Sequence, residues 1–103
     1  MNLNEYQEQA RKTALYQNQM YPLCSLMVEA AELADLFIKP KLRGDKKPID
    51  EQEVISEAGD ILWNLANALA DQGISLERVA VYNLAKLADR SSRGVIQGDG
   101  GNR

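Results

Sequence analysis

Residues 51–71 read EQEVISEAGDILWNLANALAD, and this stretch decides the fold. Val54, Ala58, Ile61, Leu62, Leu65, Ala66 and Leu69 recur at three- and four-residue steps, the repeat of one helical face. Asp50 stands before the run as an N-cap. Glu51 and Glu53 fill the first turn, where the helix dipole favours negative charge. Gly73 lies just past the end, the usual place for a terminating glycine. The pattern predicts a helix from Glu51 to about Asp71. Gly59 inside it costs roughly 1 kcal/mol against alanine, and close approach of another helix is the expected compensation.

Working outward, Leu23, Leu26, Met27, Ala30, Leu33, Ala34 and Phe37 form a second apolar face. It predicts a helix from near Pro22, a good first-turn residue, to about Ile38, with Pro40 as the stop. Between the two helices runs a basic loop, Lys39 to Pro48, with Lys39, Lys41, Arg43, Lys46 and Lys47 around Gly44-Asp45. Downstream, Ser75 caps a helix carrying Leu76, Val79, Ala80, Leu84 and Leu87, predicted to reach about Arg90. From Ser91 the chain is glycine-rich and polar and reads as a tail. At the other end, Leu3, Tyr6, Ala10, Thr13, Ala14 and Gln17 share a stripe, predicting a helix from Leu3 to about Asn18. Met20-Tyr21-Pro22 interrupts it, because proline disfavours a helical residue before it. Long β-branched runs and hairpin dipeptides are missing. The fold class is all-α, with one four-helix domain over residues 1–90 and a tail over 91–103.

Composition narrows the chemistry. The 103 residues suit one domain with a modest core, which makes oligomerisation an expectation. The net charge is −3, which argues against non-specific nucleic-acid binding, a property that needs clustered positive charge. Cys24 is the only cysteine, so no intrachain disulfide forms. It fits a reducing compartment and reads as a buried small hydrophobe. The sequence holds no histidine, which excludes His/Cys zinc sites, Ser-His triads and Cys-His dyads. No basic-then-apolar leader opens the sequence, and no apolar run approaches about 18 residues, so no membrane span is expected and the cytoplasm is the default.

Carboxylates are therefore the candidates for metal or acid–base work. Glu29-Ala30-Ala31-Glu32 lies on the second helix and Glu57-Ala58-Gly59-Asp60 on the third. Each acidic pair is spaced i, i+3, so both members share a face. Small residues lie between them in both cases and would let the helices come close, bringing four carboxylates together. Like charges so placed repel unless a cation bridges them. A hard divalent ion takes oxygen ligands and leaves positions for water and phosphate oxygens. The pattern points to Mg²⁺, with Mn²⁺ as a substitute, and to phosphate chemistry. The bland reading is two solvated acidic pairs, which helices carry commonly. Their position at the edge of apolar stripes weighs against it.

The run Val28-Glu29-Ala30-Ala31-Glu32-Leu33, then Glu57-Ala58-Gly59-Asp60-Ile61-Leu62-Trp63, then Gly73-Ile74-Ser75-Leu76-Glu77, then Asn83-Leu84-Ala85-Lys86-Leu87-Ala88-Asp89-Arg90 resembles the MazG-like all-α nucleoside triphosphate pyrophosphohydrolases. The shared signature is ExxE, a spacer, then ExxD, with the downstream Asn-x-x-Lys-x-x-x-Arg and the tail Arg93-Gly94…Gly98…Asn102-Arg103. The resemblance covers about Tyr6 to Arg103. It implies a helical bundle completed by homo-oligomerisation, as a homodimer or homotetramer. It also implies cleavage of (deoxy)nucleoside triphosphates between the α- and β-phosphates, to monophosphate and pyrophosphate, as nucleotide-pool house-cleaning.

Carried over, the resemblance makes Glu29, Glu32, Glu57 and Asp60 the metal ligands. Glu29 or Glu32 becomes the group that activates water. Asn83 and Lys86 match positions that contact phosphate or sugar, and Arg90 shares their face. Trp63 and Asn64 match a Trp-Tyr pair near the nucleobase, with Asn64 departing from the usual tyrosine. Ala31 replaces a frequent glycine. Lys39 is a candidate for recruiting the anionic substrate, whereas Lys41, Arg43, Lys46 and Lys47 read as a solvated loop. An aromatic beside a core stripe, such as Trp63, is more commonly packing than a base platform. The rival from another class is a non-catalytic dimerisation or adaptor module, which would tolerate loss of the acidic quartet.

Overall fold

The computed structural model describes residues 1–94, and among them it has four helices and no strand. Helix α1 is Leu3–Lys12, α2 Met20–Arg43, α3 Glu51–Asp71 and α4 Leu76–Arg93. The tail readings on residues 95–103 lie outside the described residues.

The ends of α3 follow its local signals. The Asp50 side chain accepts from the Gln52 N–H at 2.9 Å. Gly73 takes φ 71°, a left-handed conformation that glycine adopts without Cβ strain. It closes a Schellman turn, with Gly73 N–H on the Ala70 carbonyl at 3.0 Å and Ile74 N–H on Leu69 at 2.9 Å.

Three helix ends differ from the sequence reading. Helix α1 stops at Lys12 rather than Asn18. There the Thr13 hydroxyl donates to the Ala10 carbonyl at 2.7 Å and accepts the Trp63 indole N–H at 2.7 Å. Residues 13–19 are thus tied to α3 instead of continuing the helix. Helix α2 passes through Pro40 and ends at Arg43. Proline removes a single N–H donor one turn from the end, so little of the ladder is lost. The stop comes at Gly44, φ 73°, with Gly44 N–H on Lys41 at 3.2 Å and Asp45 N–H on Pro40 at 2.8 Å. Helix α4 runs one turn past Arg90 to Arg93, where Gly94 caps it.

Helices α2 and α3 form an antiparallel hairpin, α1 packs on α3, and α4 lies against α1 and α3 without touching α2. Gln7 fastens three of these elements. Its side chain donates to the carbonyls of Ala66 (2.9 Å) and Ile74 (3.1 Å) and accepts from Leu76 N–H at 2.9 Å. A second polar clasp joins the 13–19 segment to the end of α3. Arg11 and the Tyr16 hydroxyl both reach Asp71, at 2.6 and 2.8 Å, and the Asp71 side chain is buried.

Little apolar side chain is covered. Ala10, Ala66 and Leu76 are the buried hydrophobic residues among those described. The Cα radius of gyration is 16.6 Å, against about 13 Å for a compact domain of this length. Much of the expected core face of α2 is open: Leu23, Met27 and Phe37 are exposed, as is Cys24, which was read as buried. Val81, Tyr82 and Leu84 do the same on α4.

Candidate metal centre

The hairpin brings the two acidic pairs to one seam. One carboxylate oxygen each from Glu29 on α2 and from Glu57 and Asp60 on α3 lie within 4.8 Å of one another. Glu32, one turn along α2, is exposed and stands outside that trio, though its charge acts on Glu29. The Glu29 carboxyl is raised from 4.5 to about 7. The largest cause is hydrogen-bonding contact with Glu57, followed by burial and the charge of Glu32.

Apart from that carboxyl–carboxyl contact, Glu29 and Glu57 each keep one oxygen shielded from solvent with no hydrogen-bond partner among the described residues. A buried carboxylate oxygen without a donor is costly, because it has lost water and gained nothing. A hard cation supplies what both oxygens lack. The donor set is all oxygen, so it fits Mg²⁺ or Mn²⁺ and offers nothing to thiophilic metals.

The small residues do not explain the meeting. Ala30, Ala31, Ala58 and Gly59 are all exposed. A Cβ added at Gly59 would meet nothing within 4 Å, so no close helix compensates for that glycine. The carboxylates face the seam, and the small residues between them face away.

The substrate candidates separate into three groups. Around Asp60, Asn64 is buried and donates from Nδ2 to the Asp60 carbonyl at 2.9 Å, while its Oδ1 is shielded without a partner. Trp63 is half-buried, its N–H committed to Thr13 and its ring edge against Tyr16, with centroids 6.2 Å apart. Tyr16 in turn stacks on Tyr21 at 5.7 Å. Toward the other end of the hairpin, Lys39 pairs with Asp35 at 3.3 Å. On α4, Asn83 is exposed and the Lys86 ammonium lies 5.9 Å from the Tyr82 ring centroid. Arg90 departs from these two: it is 5% exposed and engaged within the chain.

Tyr6 is a neighbour that the sequence reading took only as a stripe residue. It is half-buried on α1, and its hydroxyl is raised first by burial and then by the charge of Asp60. Its position in the α1 stripe put it on the inner face, but nothing local indicated that this face meets Asp60.

The profile of the MazG nucleotide pyrophosphohydrolase domain matches residues 17–95. The chain is 35% identical over 116 residues to the Gene 37 protein of Mycobacterium phage L5, with 100% of both chains covered. No solved structure matches it. No helix among the described residues is long and apolar enough to cross a membrane.

Proposed function

Because the chain belongs to the MazG nucleotide pyrophosphohydrolase family, we propose that it hydrolyses (deoxy)nucleoside triphosphates to the monophosphate and pyrophosphate, with Mg²⁺ as the resident ion. The observation that carries this reading is the pair of shielded, partnerless oxygens on Glu29 and Glu57 beside Asp60. Glu29, Glu57 and Asp60 hold the ion, and Glu32 completes the acidic set. Bound there, a divalent cation polarises phosphate oxygens and lowers the pKa of a coordinated water.

The chain's own groups do the rest. Of the two candidates for orienting water, Glu32 is the better suited, because it is exposed and stands outside the tight trio. It accepts the proton as the water oxygen bonds to phosphorus. The bridging P–O bond to pyrophosphate breaks, and the pyrophosphate leaves with that electron pair. Asn64 donates to the Asp60 backbone carbonyl, which holds its own amide against α3 one turn from the Asp60 carboxylate. Its replacement of a larger aromatic leaves more room on the nucleoside side. Trp63 acts by packing, with its N–H spent on Thr13.

A second copy of the chain covers the open apolar faces of α2 and α4. Burying several side chains such as Met27 and Leu84, each worth about 1.5–3 kcal/mol when fully covered, gives ample drive. Asn83 and Lys86 lie on a helix that does not touch α2. They serve phosphate or sugar from across that interface. The same open faces would suit a non-catalytic dimerisation module. Such a module has no use for partnerless buried carboxylate oxygens.

The test is a panel of canonical and modified dNTPs with Mg²⁺, read by pyrophosphate release. Release that stops with EDTA and with Asp60→Asn supports the proposal. No release from any nucleotide in the panel sinks it.

A further inference from the structure

A groove of about 470 Å³ opens from the carboxylate seam toward the loop that joins α2 to α3. Its lining includes Glu32 and Glu57 at the seam, Leu36 along the wall, and Lys39, Arg43 and Lys47 farther out. We propose that this groove is the pyrophosphate side of the site, so that a triphosphate lies along the hairpin with its outer phosphates toward Lys39 and Lys47. The inference rests on the metal-dependent reading above and adds a direction to it.

The two ends of the seam differ in chemistry. Beyond Asp60 come Asn64, Trp63, Tyr16 and Tyr21, an amide and three rings. Beyond Glu32 and Glu57 come the cations. Lys39 is seven residues past Glu32 on the same helix, about 10 Å along the axis. A lysine side chain and the outer phosphates of a metal-bound triphosphate span that distance together.

Six carboxylates and three cations line the groove, so an anion enters it with a cation at the seam and on those basic groups whose partners can be exchanged or are missing. Asp35 pairs with Lys39 and Asp45 with Arg43, the latter at 3.0 Å, and both pairs are solvent-exposed. Such pairs are weak and exchange readily for a more highly charged partner. Asp50 is committed to capping α3. Lys47 has no ion pair among the described residues and lines the groove. Glu53 joins Glu32 and Glu57 as further carboxylates of the lining, and Mg²⁺ that enters with pyrophosphate offsets part of this negative charge. Phosphate oxygens gain charge-assisted hydrogen bonds from both lysines. Lys47, read from sequence as a solvated loop residue, thereby becomes a binding residue.

The experiment uses the full chain with Mg²⁺ and titrates inorganic pyrophosphate and a nucleoside monophosphate separately by calorimetry. It compares the wild type with Lys39→Ala, Lys47→Ala and the double variant. Both residues are exposed, and circular dichroism checks that each variant keeps its helices. Each single change should weaken pyrophosphate by about tenfold, one charged hydrogen bond's worth, and leave the monophosphate unchanged. Unaltered pyrophosphate affinity in the double variant overturns the proposal. So does weaker monophosphate binding with pyrophosphate unaffected, which reverses the direction. Turnover by the wild type, assayed alongside, separates these outcomes from failure of the hydrolase reading itself.

Discussion

Replacing Gln7 by leucine tests how the helices are held in place. The swap keeps nearly the same volume, so the main loss is of hydrogen bonds. Ala66's carbonyl lies within α3 and retains its helical partner. The Ile74 carbonyl and the Leu76 N–H do not: one sits in the α3–α4 turn, and the other is the first residue of α4, where no intrahelical acceptor exists. Two buried or half-buried backbone groups are left unpaired, each costing about 1–3 kcal/mol. A loss of about 3 kcal/mol follows, a large share of a stability that is typically about 5–15 kcal/mol. With a urea slope of roughly 1.5 kcal/mol per molar, the unfolding midpoint falls by about 2 M. The assay is urea denaturation followed by circular dichroism, at one fixed protein concentration so that any association contributes equally to both midpoints. A midpoint within about 0.3 M of the wild type would refute the argument that Gln7 fastens α1 to the α3–α4 turn.

Two further predictions concern the seam itself. The Glu29 carboxyl is raised to about 7, above its ordinary 4.5. The folded metal-free protein therefore binds a proton that the unfolded chain releases, so this contribution to stability is fully present below pH 4.5 and is lost as pH rises through about 7. Melts in EDTA at pH 5.5 and 8 should show that loss for the wild type and a much smaller one for Glu29→Gln. On the proposed metal reading Mg²⁺ must displace the same proton, so its binding should tighten over that pH range with proton release, measurable by calorimetry in two buffers. Gly59→Ala should raise stability by about 0.5–1 kcal/mol, because helix propensity improves and the added Cβ meets nothing; a destabilised variant would mean that another surface covers Gly59.

What the sequence disclosed depended on how local each cause is. The bounds of α3 were legible because Asp50, Glu51, Glu53 and Gly73 act within a turn of the helix ends. The end of α1 was not, because Thr13 is held by an indole fifty residues away in the chain. Pro40 points to the wrong stop for the opposite reason: it is a local signal, but only one hydrogen bond is at stake there and Gly44 supplies the actual stop. The i, i+3 spacing put each carboxylate pair on one face and suggested a meeting of four; the structure brings Glu29, Glu57 and Asp60 together and leaves Glu32 outside that trio. The reason offered for it, small residues between close helices, does not hold. Asn83, Lys86 and Arg90 look equivalent on a helical repeat, yet Arg90 is buried and Asn83 exposed. That difference in burial is one which no spacing within α4 encodes. Open apolar faces made α2 look like a core helix and Cys24 look buried. Periodicity reports that a face wants cover, not which chain provides it.

The most direct measurement of the central claim is Mg²⁺ binding and pyrophosphate release by the wild type and by Glu57→Gln, at matched helix content. Glu57 lies in the tight trio and holds one of the two partnerless oxygens. The wild type should bind Mg²⁺ and release pyrophosphate, and the variant should lose both, with turnover down by at least about a hundredfold, as expected when a ligand to an essential ion is removed. A variant that keeps full turnover, or a wild type that releases pyrophosphate equally well in EDTA, would contradict that claim.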